Sequence, residues 1–171
     1  QRDILNLLDQ YPSTIKLNNQ DLINGDNERL KIGLPKKAKF VCLIVRDSSY
    51  LEKLYGQKVN MHDYRDSDIN DFLNASEALT ELGYYVIRMG AVVNKPINTS
   101  NKMIIDYAFN NLRTDFMDIY LASQCEFCIT TGTGFDGTTL MFRKPNIYVN
   151  IAPLFDIRME CSSLLSIPCH Y

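Results

Sequence analysis

The run "FVCLIV", Phe40 to Val45, sits between "KKAK" and "RDSSY", with no polar residue inside it. A six-residue apolar stretch bounded by charge fits a strand covered on both faces, as in a parallel sheet with helices on either side. "YYVIRMG", "EFCITT" and "NIYVN" read as further strands, and "MIIDYA" as a short one. Helical patterns separate them. Ile69, Phe72, Leu73, Leu79 and Leu82 recur at helical spacing, with Ser67 or Asp66 as candidate caps, Asp68 in the first turn and Gly83 closing the end. Thr114 opens "DFMDIYLASQ", and a short helical piece, "TTLMFRK", stops at Pro145. Strands alternating with helices predict an α/β Rossmann-like layer fold around a parallel sheet. Residues 1–35 are polar and Asn-rich and read as a helical extension or linker, leaving 36–171 as the layered domain.

Between the third full strand and its helix lies "TTGTGFDGTT", with Gly132, Gly134 and Gly137 in the spacing G-x-G-x-x-G. As a pattern this is the dinucleotide fingerprint. That fingerprint belongs on the first strand of a unit, opens a full-length helix, and is followed by an acidic residue at the end of the next strand. Here it comes late, its helix is short, and the next strand ends in Asn150. What remains is a loop of exposed backbone N–H groups and threonine hydroxyls suited to phosphate or diphosphate. The alternative is a tight turn with threonine caps. A nicotinamide enzyme ranks behind both.

Ligands of parallel α/β sheets sit beyond the carboxyl ends of the strands. Arg46 and Asp47 leave the first strand there, Arg88 closes the second, and "MHDYRDSD" brings His62, Asp63 and Arg65 to the same side. Arginines at such an edge can pair bidentately with phosphate oxygens. The net charge of −2 gives no basic excess of the kind nucleic-acid binding needs. No apolar run approaches the roughly 18 residues of a membrane span. Five cysteines, an odd number lying mostly in apolar runs, fit a reducing, cytoplasmic setting and structural roles. "CEFC" with Cys161, Cys169 and His170 lacks the spacing of a zinc site, so neither metal nor cofactor is expected. A first residue of Gln reads as a piece of a longer chain.

Taken together, "FVCLIVRDSSYL", "HDYRDSDI", "ALTELGYYVIRMG" and "DFMDIYLASQCEFCITTGTGFDGTTLMFRKPNIYVNIAP" resemble a family of bacterial glycosyltransferases of surface-polysaccharide gene clusters. The span from Thr114 to Asn150 is similar to the C-terminal, donor-binding domain of two-domain enzymes of the GT-B architecture. The "VRD" exit is similar to the strand-end arginine of fucosyltransferase-like enzymes. The resemblance implies a metal-independent glycosyltransferase that binds a nucleotide-diphosphate sugar and passes the sugar to a glycan or lipid-linked acceptor. It implies that Thr131, Gly132, Thr133 and Gly134 meet the donor phosphates and that Arg46 neutralises the leaving diphosphate. Asp47, Arg65, Arg88 and Asp136 join the binding site, and His62 and Asp63 are the candidates for the catalytic base. Two features depart from the GT-B pattern. Asp136 stands where many donor domains carry a glutamate for the ribose, and only one α/β unit is present, so an N-terminal acceptor domain is missing from this chain. The same loop character also fits a sugar-nucleotide epimerase, or a non-catalytic α/β binding module.

Overall fold

The structure, a computed structural model, describes residues 3–58 and 63–169. Its centre is an all-parallel sheet of six strands: β1 (Phe40–Ile44), β2 (Tyr85–Met89), β3 (Ile104–Ile105), β4 (Cys128–Thr130), β5 (Asn146–Ile151) and β6 (Leu164–Pro168). Their spatial order is β3-β2-β1-β4-β5-β6. This is the order of the doubly wound nucleotide-binding sheet. The helices are α1 (Leu7–Gln10), α2 (Asn19–Lys31), α3 (Ser49–Tyr55), α4 (Leu73–Glu81), α5 (Asp115–Gln124) and α6 (Asp136–Met141). None of them is long and apolar enough to cross a membrane.

Every residue of β1 is buried, which is why its sequence is apolar without alternation. Phe40, Cys42 and Ile44 pack with Met117, Tyr120 and Leu121 of α5 on one face. Leu43 and Val45 pack with Ile69, Phe72 and Ile97 on the other. Side chains of this size stabilise the fold by about 1.5–3 kcal/mol each when fully buried. Cys42, Cys125 and Cys128 belong to the first of these clusters. Hydrogen bonding to Cys125 and burial raise the Cys42 thiol well above its ordinary value, and burial does the same for Cys128. Thiols held neutral in this way are packing residues rather than nucleophiles.

The capping signals resolve locally. Thr114 Oγ1 accepts from Met117 N at 3.2 Å, as its position before an acidic first turn predicts. The expected long helix from residue 67 instead begins as a 3₁₀ turn, Ile69–Phe72, and its cap is Asp68, whose Oδ1 accepts from Asn70 N at 2.9 Å. Asp66 is drawn elsewhere, to Arg46. The segment expected as an extension supplies α2, capped by Asn18, and places Ile32 and Leu34 in the core. β6 has no counterpart in the sequence reading. Only half-buried and ending in Pro168, it lacks the apolar run of an inner strand, and proline is tolerated at a sheet edge.

Candidate functional site

The strand order reverses between β1 and β4, the place where ligands of open α/β sheets bind. The two strands stay joined beyond their ends. Thr131 N donates to Ile44 O at 3.1 Å, and Arg46 N donates to Thr131 Oγ1 at 2.8 Å. These bonds extend the ladder by one step and fix where both chains leave the sheet. Gly132 then turns the chain with φ +79°, and its carbonyl accepts from Arg65 Nη2 at 2.8 Å. A side chain here would adopt a left-handed conformation, and its Cβ would lie 3.3 Å from Ile151 Cδ1 and 3.4 Å from Arg65 Nη2. Gly134 and Gly137 face open space. Only the first glycine of the fingerprint is therefore demanded by geometry.

Around this loop lies a polar cavity of about 310 Å³, lined by Arg46, Arg65 and Arg158, by Gly132 to Gly134, and by Asp136, Tyr148 and Asp156. Among the described residues, each arginine has one guanidinium nitrogen engaged with the protein. Arg46 Nε lies 3.2 Å from Asp66 Oδ1, Arg65 Nη2 is on the Gly132 carbonyl, and Arg158 Nη1 is 2.9 Å from Glu160 Oε1. A guanidinium carries five N–H donors in a planar fork, so each has donors beyond these contacts. Arg158 also lies over the Tyr148 ring, 5.8 Å from its centroid. Three arginines against two lining carboxylates, beside a glycine turn, make a site for a multiply charged anion. Because α6 has only six residues, the arginines rather than a helix dipole supply the positive potential.

Asp136 is the deepest acid of this cavity, 2% exposed. Burial raises its carboxyl above the ordinary aspartate range, while the Tyr148 hydroxyl and the Arg158 charge work in the opposite direction. The sign follows from linkage. A carboxyl with a raised folded-state value binds its proton more tightly in the native than in the unfolded chain. Its contribution to stability is therefore present at low pH and falls as pH rises from the unfolded value through the folded one. Urea denaturation across the acid range should show wild type losing stability relative to Asp136→Asn as pH rises. A difference that stays flat or grows with pH would contradict the burial account.

The cavity brings together Arg46, Arg65, Gly132, Thr133, Gly134 and Asp136 of the expected site residues. It does not include the others. Asp47 ties loops together, its Oδ1 accepting from Ser49 N and its Oδ2 from Asn94 N, both at 3.0 Å. Arg88 is 2% exposed, with Nη1 2.5 Å from Lys95 O and 3.2 Å from Asp106 Oδ2. Thr131 uses its hydroxyl to join β1 to β4. Asp63 is exposed at the start of a 3₁₀ turn, Asp63–Arg65, and does not line this cavity. His62 lies outside the described residues.

Arg158 and Tyr148 are the members that the sequence reading missed. Tyr148 sat inside a correctly placed strand, but nothing in that strand shows which of its side chains faces a ligand. Arg158 follows β5 in irregular chain. Applying the carboxyl-end rule to the strand after the glycine loop would have included it. Comparison with family models, with curated proteins and with solved structures returns no match.

Proposed function

We propose that the arginine-lined cavity binds the diphosphate of a nucleotide sugar, and that the chain is the donor-binding domain of a glycosyltransferase of GT-B type. The observation that carries this reading is the meeting of Arg46, Arg65 and Arg158 with the Gly132 turn at the reversal point of the sheet. In this reading the acceptor hydroxyl oxygen attacks the anomeric carbon, the bond from that carbon to the diphosphate breaks, and a base takes the hydroxyl proton. The guanidinium groups, rather than a metal ion, offset the charge that develops on the departing diphosphate. His62 and Asp63, beside Arg65 in sequence, stand as the candidates for the base. The acceptor, a glycan or lipid-linked sugar, is held by a second domain that faces this edge of the sheet.

Thermal denaturation with UDP, GDP, CMP, ADP and NAD in parallel tests the reading. A ligand at 100 times its dissociation constant adds about 2.7 kcal/mol, visible as a shift of the melting temperature. The expected result is a shift with one nucleoside diphosphate. A shift with NAD alone would replace the reading with a nicotinamide enzyme, and no shift at all would refute diphosphate binding by this chain. Arg46→Ala should weaken the bound nucleotide by about 1.5–3 kcal/mol, the scale of a hydrogen bond to a charged group. Unchanged affinity in a titration of that variant would remove Arg46 from the site.

A further inference from the structure

Arg158 sits in irregular chain between β5 and β6, where no helix or strand fixes its backbone. A free arginine at that place would have to be ordered by each ligand that binds, at a cost in affinity. Three contacts order it beforehand. Its carbonyl accepts from Ser166 Oγ at 2.7 Å. Its guanidinium lies over the ring of Tyr148, a residue that is 1% exposed. Ser166 and Tyr148 are register partners across β6 and β5, so one rung of the sheet carries both the main chain and the head of the arginine. The half-buried edge strand thereby gains a task at the site.

The third contact is Glu160. Its Oε1 lies 2.9 Å from Arg158 Nη1, and its Oε2 accepts from Met159 N at 3.0 Å, so both oxygens are in use. The side chain is 7% exposed and is not among the groups lining the arginine cavity. Burial by itself would raise this carboxyl. The bonds from Arg158 and the main chain, with the Arg158 charge, outweigh burial and hold the group below the ordinary glutamate range. A carboxylate close behind an anion site is otherwise a liability, because it repels the ligand through a poorly screening medium. Its use is to grip the guanidinium fork by one edge, leaving further donors for the cavity that Arg158 lines.

We infer that Glu160 is a positioning residue of the anion site: with the Tyr148–Ser166 rung it presets Arg158, and so raises the affinity for a diphosphate that it never touches. The inference rests on the diphosphate reading above and adds to it what sets the strength of the site. Two effects of the carboxylate compete, repulsion of the ligand and preorganisation of the arginine, and here preorganisation wins.

The test is a calorimetric titration of inorganic pyrophosphate into wild type, Arg158→Ala, Glu160→Ala and the double variant at one fixed salt concentration. Arg158→Ala should bind at least about tenfold more weakly than wild type, the scale of a hydrogen bond to a charged group. Glu160→Ala should bind about three- to tenfold more weakly, the range for ordering one long side chain on binding. The double variant should bind no more weakly than Arg158→Ala, because the residue through which Glu160 acts is gone. Glu160→Gln, uncharged and of the same shape, keeps a bond to Arg158; it should show a smaller loss with the same dependence on Arg158, and it decides the matter if Glu160→Ala does not fold. Binding that is unchanged or tighter in both Glu160 variants would show that repulsion wins and overturn the inference. So would an equal loss with and without Arg158, or full affinity in Arg158→Ala, and each of these leaves the diphosphate reading standing. Failure of wild type to bind pyrophosphate would overturn both.

Discussion

Asp106→Ala is expected to destabilise the chain by about 3–5 kcal/mol, the range for removing one partner of a buried ion pair. Asp106 accepts from Arg88 Nη1 at 3.2 and 3.4 Å and from Ile97 N at 2.8 Å. Arg88 lies within β2, in register with Leu43 of β1, and almost none of it reaches solvent. Without the carboxylate, the guanidinium would keep, among the described residues, the Lys95 carbonyl as its partner in a poorly hydrated site. Desolvation of that charge, rather than the loss of one hydrogen bond, sets the magnitude. The double variant Arg88→Met/Asp106→Leu should recover much of the loss, because it leaves no charge to desolvate. Urea denaturation of the three proteins measures both effects. A loss below about 1 kcal/mol for Asp106→Ala would mean that the pair is worth no more than an exposed one.

The second large effect is expected at Gly25, where α2 meets α5. A Cβ on Gly25 would lie 1.9 Å from Tyr120 Cδ2, well inside contact distance. The ring is fully buried and its hydroxyl donates to Asp26 Oδ1 at 2.6 Å, so it is held at both ends. Overpacking of a core typically costs about 1–3 kcal/mol. Alanine in place of glycine would return about 1 kcal/mol through helix propensity. With the ring unable to move aside, the steric term should win, and Gly25→Ala should lose about 2 kcal/mol overall. A melting temperature equal to or above that of wild type would show that α2 shifts outward freely.

Gly25 and Arg88 also mark what the sequence leaves illegible. Strands β1 and β2 were readable because burial on both faces demands apolar runs, β4 and β5 from their shorter apolar stretches, and α5 because Thr114 and Asp115 announce its start. The helical character of the α2 region was read, but not its packing against the core, since its polar sequence hides a contact made through a glycine. The site was half legible. The rule that ligands lie beyond strand carboxyl ends finds Arg46, but it applies equally to Arg88, one residue before the end of its strand and turned toward Asp106. Residue type and position along a strand do not separate an arginine facing a cavity from one sealed in the fold. Partners from distant segments decide that, and here those partners are Asp106 and Lys95 for one and Asp66 for the other. The glycine spacing misled for a related reason. Only Gly132 has a positive φ in the loop, so the pattern overstates how much of the fingerprint is structural.

The most direct measurement is a crystal structure of the chain with the nucleoside diphosphate that stabilises it most. The account predicts both phosphates in the cavity beside the Gly132 turn, within hydrogen-bonding distance of Arg65 and of at least one of Arg46 and Arg158. Phosphates bound instead beside Lys58 and Lys95, in the cavity that Arg88 and Asp47 line, would contradict it.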